Sequence, residues 1–382
     1  MLKRLYVHNY KCLVNFEINF DQDISLFLGA NGSGKTSVFS VLHELQKFII
    51  SHIRLDDKRL ETKDQIFKAS TLTRWGDELI QKFEIEIEGN GGTYKYALEI
   101  EHQPEKNLAR VTKESLFFDN QPLYKFLIED EGGMSVGKGR LFNDNKPNND
   151  GIFYATDWFS SGISSIQERY DNKKLIWFKK WMESLFIIHI NPSAMKIDMD
   201  RDRDEPRPEL DLSNYAAWLN HWNNENREGV FSVETQLKEI IKDFSSFKFS
   251  QAGTKKILEA KINKYFYRFD ELSDGQKALA ALYTLIYCIP ESSVVCIDEP
   301  ENFLALPEIQ PWLNILEEQC NEKNLQALLI SHHPSLINLL ATDSGYWFSR
   351  QDNHTRIEKI TEQDNDGLSL AQLIEIGWIY GD

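Results

Sequence analysis

A glycine-rich segment carries the most specific chemical signal in the sequence. It has the spacing G-x-x-x-x-G-K-[ST], which Gly29, Gly34, Lys35 and Thr36 satisfy. Because glycine has no Cβ atom, such a loop can wrap a phosphate closely and turn successive backbone N–H groups toward it. The lysine neutralises β- and γ-phosphate charge, and the hydroxyl that follows is placed to hold Mg²⁺. The segment therefore predicts a site for ATP and Mg²⁺ formed by Gly29, Asn31, Gly32, Ser33, Gly34, Lys35, Thr36 and Ser37.

Both neighbours that this loop requires are present. Ile24 to Leu28 is an apolar run that predicts a buried strand. Ser37 to Leu45 predicts a helix with one apolar face, and its periodicity continues to about Ile53. The alternative is a chance glycine-rich loop, which the correct order of strand, loop and helix disfavours.

Two carboxylates follow a second apolar run, Val294 to Ile297. Asp298, at the expected end of that strand, can hold Mg²⁺ through water. Glu299 points to the other side of the backbone and can polarise a water for attack on the γ-phosphate. The alternative is a pair of residues that cap a helix.

A histidine pair follows another apolar strand that ends at Ile330. His332, more than His333, is placed to touch the γ-phosphate and to report its presence. The alternative is a hydrogen-bonded core histidine.

The expected start of another helix supplies a further anion site, at Ser273, Asp274, Gly275 and Gln276. This site is not needed in the subunit whose Lys35 already grips the phosphates. Its simplest use is therefore in trans, on nucleotide held by a second copy. The alternative is an ordinary capped turn.

Bulk composition is typical of a globular protein with a large core. The chain has 382 residues, of which 41% are hydrophobic and 27% charged, and its length suggests about two or three domains. The formal net charge of −16 disfavours broad attraction to nucleic acid but leaves room for a local basic groove.

Cysteine usage and hydropathy predict a soluble protein of the cytoplasm. The 4 cysteines show no C-x-x-C spacing, which indicates reduced thiols rather than a disulfide framework or a zinc site. The start of the chain has no apolar signal core, and no uncharged stretch is long enough to cross a bilayer. We expect no membrane contact without a partner.

Alternating apolar residues predict antiparallel strands in the first part of the chain, at residues 5–11, 14–20, 83–88, 94–100, 115–119 and 123–126. Such a sheet would keep one face in water. Gly132 to Asp150 is rich in Gly, Asn and Asp and predicts a loop.

The middle of the chain, from Ile163 to about Tyr267, predicts helices. Two aromatic clusters there, Trp177 to Phe186 and Tyr215 to Trp222, fit a small core of this insertion better than base-stacking platforms. Buried strands then return, and 368–378 predicts a short helix. We divide the chain into an N-terminal lobe with the phosphate loop and an antiparallel β subdomain (1–160), a helical insertion or lid (161–268) and a C-terminal lobe (269–382).

These motifs, in this order, resemble the ABC-type ATPase heads of the SMC/RecF/OLD group. Within it they are similar to the stand-alone AAA family ATPases, AAA_21- or AAA_15-like, of bacterial defence and toxin–antitoxin loci. The likeness covers Met1 to about Leu45 and Glu271 to the end. It implies an α/β ABC-type P-loop head with a mixed central sheet, an antiparallel β subdomain and a helical insertion. It also implies that Lys11 contacts nucleotide phosphate and that the motif at Ser273 is the ABC signature.

Two further segments resemble the group, and two features depart from it. Leu72 to Asp77 is RecF-like, and Leu212 to Leu219 is similar to the helical-lid motif. The group often has Leu-His-Pro after the strand-end carboxylates, where this chain has Leu-Ala-Leu-Pro at 304–307. For the Q-loop glutamine, Gln65 and Gln81 are candidates.

The resemblance implies an ATP-hydrolysing dimer switch, in which two copies close on two ATP molecules as a homodimer or a higher even-numbered oligomer. The group suggests a sensor or regulator in anti-phage defence or DNA metabolism. Because no TOPRIM-like acidic cluster follows His332, we expect a separate effector, such as a nuclease or toxin. The alternatives are the ATPase subunit of a transporter and an ATP-dependent scaffold with little turnover. The RecF-like first strand disfavours the former, and Glu299 disfavours the latter.

Contact with DNA or RNA stays open. A basic stretch lies inside this acidic chain, and it contains Lys238, Lys242, Lys248, Lys255, Lys256, Lys261, Lys264 and Arg268. A nucleic-acid groove and a solvated face that balances nearby acids are equally consistent with it.

Overall fold

The computed structural model describes residues 1–57, 65–106, 108–131, 134–146, 150–360 and 369–375. The chain divides into two compact units. The first unit comprises Met1–Asp21, Gly29–Leu185 and Trp347–Glu358, and the second comprises Gln22–Leu28, Phe186–Tyr346 and Lys359–Asp382. The division into three parts at residues 160 and 268 stays a prediction.

The helices of the described residues are α1 (Lys35–Ile50), α2 (Lys173–Glu183), α3 (Tyr215–Glu225), α4 (Arg227–Ile240), α5 (Asp274–Tyr287), α6 (Leu306–Lys323), α7 (Pro334–Ser344) and α8 (Leu370–Glu375). Helix α1 follows the phosphate loop as predicted but ends before Ile53. Helix α8 lies within the helix predicted at the tail, and residues 368 and 376–378 of that prediction lie outside the described part.

The strands form three sheets, each with its own order. The eight-stranded sheet contains β1 (Leu2–His8), β2 (Phe16–Asn19), β4 (Ile80–Gly89), β5 (Gly92–Gln103), β6 (Leu108–Phe118), β7 (Gln121–Glu131), β8 (Met134–Leu141) and β9 (Ile152–Ala155), in the order β2-β1-β4-β5-β6-β7-β8-β9. The six-stranded sheet contains β3 (Ile24–Gly29), β10 (Leu185–His189), β15 (Val294–Asp298), β16 (Gln326–Ile330), β17 (Gly345–Gln351) and β18 (His354–Lys359), in the order β10-β15-β16-β3-β17-β18. The third sheet contains β11 (Asp198–Asp200), β12 (Phe244–Ala252), β13 (Lys255–Ile262) and β14 (Tyr265–Arg268), and its first three strands have the order β11-β13-β12 with β14 beside β13.

The eight-stranded sheet is the frame of the first unit. Along β4, Phe83, Ile85 and Ile87 are buried, whereas the glutamates between them are at least partly exposed. Side chains of a strand alternate between its faces, so one face of this sheet is apolar and the other polar. The turn between β4 and β5 has Asn90 and Gly91 at φ values of 53° and 79°. The hairpins predicted from the alternation are confirmed.

Strand β8 corrects the prediction of a loop from Gly132 to Asp150. It pairs antiparallel with β7, while residues 132–133 and 147–149 lie outside the described part. The glycines of β8 are the reason that the sequence pattern did not predict this strand. A Cβ atom on Gly137 would lie 2.9 Å from the ring of Phe126, and one on Gly139 would lie 2.9 Å from the ring of Tyr154. These glycines leave room for aromatic rings and therefore carry no apolar signal.

Parallel strands form the core of the second unit. Strand β16 pairs in parallel with β15 on one side and β3 on the other. Nearly all residues of these three strands are buried. Continuous apolar runs are expected when both faces of a parallel sheet are covered. The buried strands predicted before the phosphate loop and after the insertion are confirmed.

The segment predicted as a helical insertion contains strands as well as helices. Helices α2, α3 and α4 are present, but Leu185–His189 is β10 of the six-stranded sheet, and most of 244–268 forms β12, β13 and β14. The pattern of β13 explains this, because Leu258 and Ala260 are buried with period two.

Residues of the two aromatic clusters make ring contacts in different units. Trp177 of α2 stacks on Tyr94 of β5 at 4.9 Å between ring centroids, within the first unit. Tyr215 of α3 stacks on Phe269 at 5.0 Å and hydrogen-bonds to Thr284 of α5, within the second unit. Each cluster therefore packs against the sheet or helix of its own unit.

Candidate functional site

The phosphate loop has a backbone that suits glycine at its fixed positions. Gly29 and Gly34 have φ values of 132° and 111°, a region that residues with a side chain rarely adopt. A Cβ atom on Gly29 would lie 2.0 Å from the carbonyl oxygen of Phe348, and one on Gly34 would lie 2.4 Å from Oγ1 of Thr355. Close packing against β17 and β18 therefore excludes any larger residue at both positions.

Lys35 is buried within the loop. Its side chain is only 6% exposed, and Nζ donates hydrogen bonds to the carbonyl oxygens of Gly29 and Ala30 at 2.6 and 3.0 Å. The ammonium group is thus kept against the loop backbone, where bound phosphate oxygens would meet it.

Some of the remaining loop residues are exposed, and others contact neighbouring parts of the protein. Asn31, Gly32 and Thr36 are exposed. Ser33 is buried, its carbonyl oxygen accepts a hydrogen bond from Thr355 at 2.8 Å, and its hydroxyl has no partner among the described residues. The hydroxyl of Ser37 lies 3.8 Å from the Cys12 thiol. A buried hydroxyl without a partner is costly, and a phosphate oxygen would satisfy that of Ser33.

Lys11 lies beside the first turns of α1. Its backbone is left-handed, with φ of 52°, and its N–H donates to the carbonyl oxygen of Thr71 at 2.6 Å. The ammonium group donates to Oγ of Ser40 at 3.4 Å, and Ser40 in turn donates to the carbonyl oxygen of Thr36 at 2.9 Å. Lys11 therefore places a positive charge beside α1. That this charge contacts nucleotide phosphate stays a prediction.

Gln81 has a different role from that of a Q-loop residue. It is fully buried, donates to the carbonyl oxygen of Asn9 and to Thr71, and bonds through Oε1 to His102. Because the amide nitrogen and the amide oxygen of Gln81 are both hydrogen-bonded to protein groups, this side chain is not available to a nucleotide. Gln65 is exposed only in part, and its role stays a prediction.

In the second unit, the two strand-end carboxylates have separate surroundings. Glu299 has φ of 52°, and its Oε2 accepts a hydrogen bond from the amide of Asn302 at 2.6 Å. Oδ2 of Asp298 lies 3.9 Å from Nδ1 of His189, the last residue of β10. The two carboxylates therefore have different neighbours and can act on different groups.

His332 is exposed at the end of β16, next to these carboxylates. Its backbone N–H and the hydroxyl of Ser331 both donate to Oε1 of Glu301, at 3.2 and 2.6 Å. His333 instead caps α7, because its Nδ1 accepts a hydrogen bond from the N–H of Ser335 at 3.2 Å. This capping role engages Nδ1 of His333, and the choice of His332 as the phosphate contact stays a prediction.

The predicted signature is the capped start of α5. The Ser273 hydroxyl accepts a hydrogen bond from the N–H of Gln276, whose side chain accepts one from the N–H of Ser273. Asp274 is exposed. A Cβ atom on Gly275 would lie 2.8 Å from the carbonyl oxygen of Phe303. The capped helix start is therefore present, and capping is compatible with an anion site, which stays a prediction.

The basic stretch does not form one uninterrupted cationic surface. Lys255 pairs with Asp198, and Lys248 lies 3.6 Å from Glu259. On the opposite face of the third sheet, Lys256 donates to Asn220. These contacts favour a balanced, solvated surface over a nucleic-acid groove.

Each unit contains part of the predicted site. The phosphate loop and Lys11 lie in the first unit, and Asp298, Glu299, His332 and the signature lie in the second. Sequence reasoning missed His189 beside Asp298, Asn302 beside Glu299 and Thr355 below the phosphate loop. For His189 a signal existed, because 185–190 is a continuous apolar run with one polar residue, as in the other buried strands.

Oxygen donors suitable for Mg²⁺ are present. Thr36 is exposed, and 14% of the Asp298 side chain is exposed. Among the described residues no group of three or more His, Cys, Asp or Glu side chains could hold a metal by itself. Mg²⁺ is usually held by one or two protein oxygens together with substrate phosphates.

The fold and these motifs define an SMC/RecF-like ATPase of the ABC type, as the sequence predicted. The chain belongs to the AAA_21 family, described as "AAA domain, putative AbiEii toxin, Type IV TA system", whose model matches residues 24–338.

The chain is similar to one curated protein in sequence and to two solved structures in fold. The DNA replication and repair protein RecF of Parabacteroides distasonis is 37% identical over 65 residues, which are 17% of this chain and 18% of RecF. An SMC head bound to the C-winged helix domain of ScpA is 12% identical, with 97% of this chain and 99% of that chain covered and a TM-score of 0.52. The SMC head domain from Thermotoga maritima is 15% identical, with 94% and 99% covered and a TM-score of 0.44. In the part of the chain that is described, no helix is long and apolar enough to cross a membrane.

Proposed function

We propose that this protein binds ATP with Mg²⁺ and hydrolyses it to ADP and phosphate. The phosphate loop would hold the triphosphate, with Lys35 against its β- and γ-phosphates and Thr36 and Asp298 as oxygen donors to the metal. Mg²⁺, when bound, would neutralise charge on these phosphates.

One observation carries this proposal: three adjacent parallel strands each end in a part of the predicted site. Strand β3 runs into the phosphate loop, β15 ends at Asp298 before Glu299, and β16 precedes His332. Ligands of open α/β sheets bind at the carboxyl ends of parallel strands. The three motifs are therefore expected to act on one nucleotide.

Glu299 would be the general base. It takes a proton from a water molecule as the water oxygen attacks the γ-phosphorus, and the bond to the β-phosphate oxygen breaks to release ADP. The hydrogen bond from Asn302 fixes the orientation of this carboxylate. His332 would contact the γ-phosphate, and Glu301 holds the backbone N–H of that histidine.

The signature would act on the nucleotide of a second copy. The first turn of α5 offers N–H groups and the positive end of a helix dipole, and Ser273 and Asp274 are exposed there. Two copies related by a twofold axis would close on two ATP molecules and open after hydrolysis. This makes the protein a nucleotide-driven dimer switch.

The cellular role that we propose is that of a sensor or regulator in anti-phage defence or DNA metabolism. The family description names a putative toxin of a Type IV toxin–antitoxin system, and RecF, one relative, is a DNA replication and repair protein. A separate effector, such as a nuclease or toxin, would carry out the response.

Replacement of the proposed base tests the hydrolytic step. In Glu299→Gln we expect ATP hydrolysis to fall at least about 100-fold, because positioned bases contribute that much or more. ATP binding should persist, since Gln keeps the hydrogen-bonding shape while losing the charge. Phosphate release and equilibrium ATP binding measure the two effects separately.

Glu291→Gln is the matched control, because this exposed glutamate lies before the amino end of β15. It should hydrolyse ATP at the wild-type rate. If Glu299→Gln also kept the wild-type rate, Glu299 would not be the base. If the wild-type protein bound ATP without turnover, the scaffold alternative would replace the ATPase proposal.

A further inference from the structure

Trp75 forms an exposed aromatic group with two residues of the β17–β18 hairpin. Its indole stacks on the ring of His354, with 6.0 Å between centroids and 25° between planes. The guanidinium carbon of Arg350 lies 5.5 Å from the centroid of the same indole. All three residues belong to the first unit, and we call them the Trp75 cluster. Trp75 is still 40% exposed, so part of its ring is open to a ligand.

The same hairpin supports the phosphate loop. Thr355, the residue after His354, donates its hydroxyl to the carbonyl oxygen of Ser33 at 2.8 Å. Its N–H donates to the carbonyl oxygen of Cys12 at 3.0 Å. His354 of the Trp75 cluster thus directly precedes Thr355, which contacts the loop. A nucleotide whose phosphates fill the loop has its base only one ribose away from them.

The segment that carries Trp75 is held on both sides. The N–H of Thr73 donates to Oδ1 of Asn9 at 3.2 Å. The amide of the same asparagine donates to the carbonyl oxygens of Glu78 and Ile80 at 2.7 and 3.0 Å. Asn9 is itself buried, with only 3% exposed. Trp75 therefore has a fixed position, so that little ordering remains to be done when a ligand binds.

We infer that the exposed part of the Trp75 ring stacks on the base of the nucleotide bound at the phosphate loop. This inference rests on the proposed ATP site and names the residue that would recognise the nucleoside. Every base has a π-face that can stack on an aromatic ring, and purines overlap such a ring more fully than pyrimidines. His354 and Arg350 occupy part of the indole surface and hold the ring in place.

Binding of ATP and of inorganic tripolyphosphate, both with Mg²⁺, tests this inference. Tripolyphosphate carries the same chain of phosphates but no base. For Trp75→Ala we expect the Kd of ATP to rise about tenfold, which is within the range measured for loss of one stacked aromatic ring. The Kd of tripolyphosphate should stay at the wild-type value. Trp75→Phe, which keeps an aromatic face, should recover most of the ATP affinity.

Phe153→Ala is the matched control. Phe153 is also exposed, and the guanidinium carbon of Arg140 lies 3.9 Å from its ring centroid. It lies on β9, at the opposite edge of the eight-stranded sheet from β2. Loss of an exposed aromatic–arginine pair should have no effect on either ligand at this position.

Two results would overturn the inference. One is wild-type ATP affinity in Trp75→Ala, and the other is an equal loss of ATP and tripolyphosphate, which would indicate a disturbed loop rather than a lost base contact. Both differ from failure of the proposed function, in which the wild-type protein binds neither ligand and Lys35→Ala changes nothing.

Discussion

At the scale of single residues, three acids that follow one strand differ in what surrounds them. Asp298 lies near the ring of His189, Glu299 accepts a hydrogen bond from Asn302, and Glu301 accepts two from the chain after β16. Glu301 supports the backbone after β16 through its Oε1, whereas Glu299, the proposed base, is oriented by Asn302.

Glu114 is a buried acid that the proposed chemistry does not use. It is fully buried in β6 and accepts hydrogen bonds from Tyr96, Ser161 and the N–H of Gly162. Burial raises its pKa from 4.5 to about 7, although these donors oppose the rise. Since the folded state then binds the proton more tightly than the unfolded state, the stabilisation is full below pH 4.5 and is lost as pH rises to about 7.

Replacement of this acid should change the pH dependence of stability. Glu114→Gln cannot ionise, so relative to wild type it should gain about 2 to 3 kcal/mol between pH 5 and pH 8. Any constant cost of placing the Gln amide near Gly162 cancels in this comparison. Melting temperatures of both proteins at the two pH values measure the change. Glu88→Gln, at an exposed position near the end of β4, is the control, and an equal pH response in both variants would contradict the assignment.

At the scale of elements, the start of α5 serves its own helix and, as proposed, the nucleotide of a second copy. Two substitutions of Ser273 separate these roles. Ser273→Ala should lower stability by about 1 kcal/mol, because the capping hydrogen bond to Gln276 is lost. Ser273→Asp should keep the stability, since aspartate caps as well as serine, but its charge should repel the phosphates and reduce ATP hydrolysis more than tenfold.

Unfolding curves and ATP hydrolysis rates of the two variants test this pair of roles. ATP binding to the protomer's own phosphate loop should be unchanged in both. Wild-type hydrolysis in Ser273→Asp would mean that this helix start caps α5 and does nothing else.

Elements with a strong local pattern were predictable from the sequence. The phosphate loop has a fixed spacing, and β3, β15 and β16 are continuous apolar runs, so neighbouring residues alone specify them. Strands β12 to β14 were missed because their buried residues are few and are interrupted by lysines and exposed aromatic side chains. Strand β10 was missed because Leu185 and Phe186 also continued the aromatic cluster of α2. Only pairing with a neighbouring strand decides whether such a segment is a strand or the end of a helix.

Side chains that support the site from distant parts of the chain could not be predicted. Thr355 hydrogen-bonds to Ser33, although the two residues are 322 positions apart in the sequence. Trp75 and His354 likewise meet only in the folded first unit. Motif spacing identifies residues that touch phosphate, but the residues that hold or extend the site depend on tertiary packing.

At the scale of the whole molecule, the proposal requires two copies of the chain. In the proposed switch, the phosphate loop of one protomer and the signature of the other act on one nucleotide. The net charge of −16 and the local pairing of the basic stretch mean that association must come from the shared nucleotides and surface shape rather than from general electrostatic attraction.

A mixed dimer of two inactive variants tests this requirement most directly. Co-expression of differently tagged Glu299→Gln and Ser273→Asp chains, with purification through both tags, yields a dimer with one chain of each kind. If sites form in trans, the base of one chain meets the intact signature of the other at one of the two sites. The mixed dimer should then hydrolyse ATP at about half the wild-type rate, whereas each variant alone is nearly inactive. A mixed dimer as inactive as its parents, or the absence of any dimer with ATP, would contradict the account.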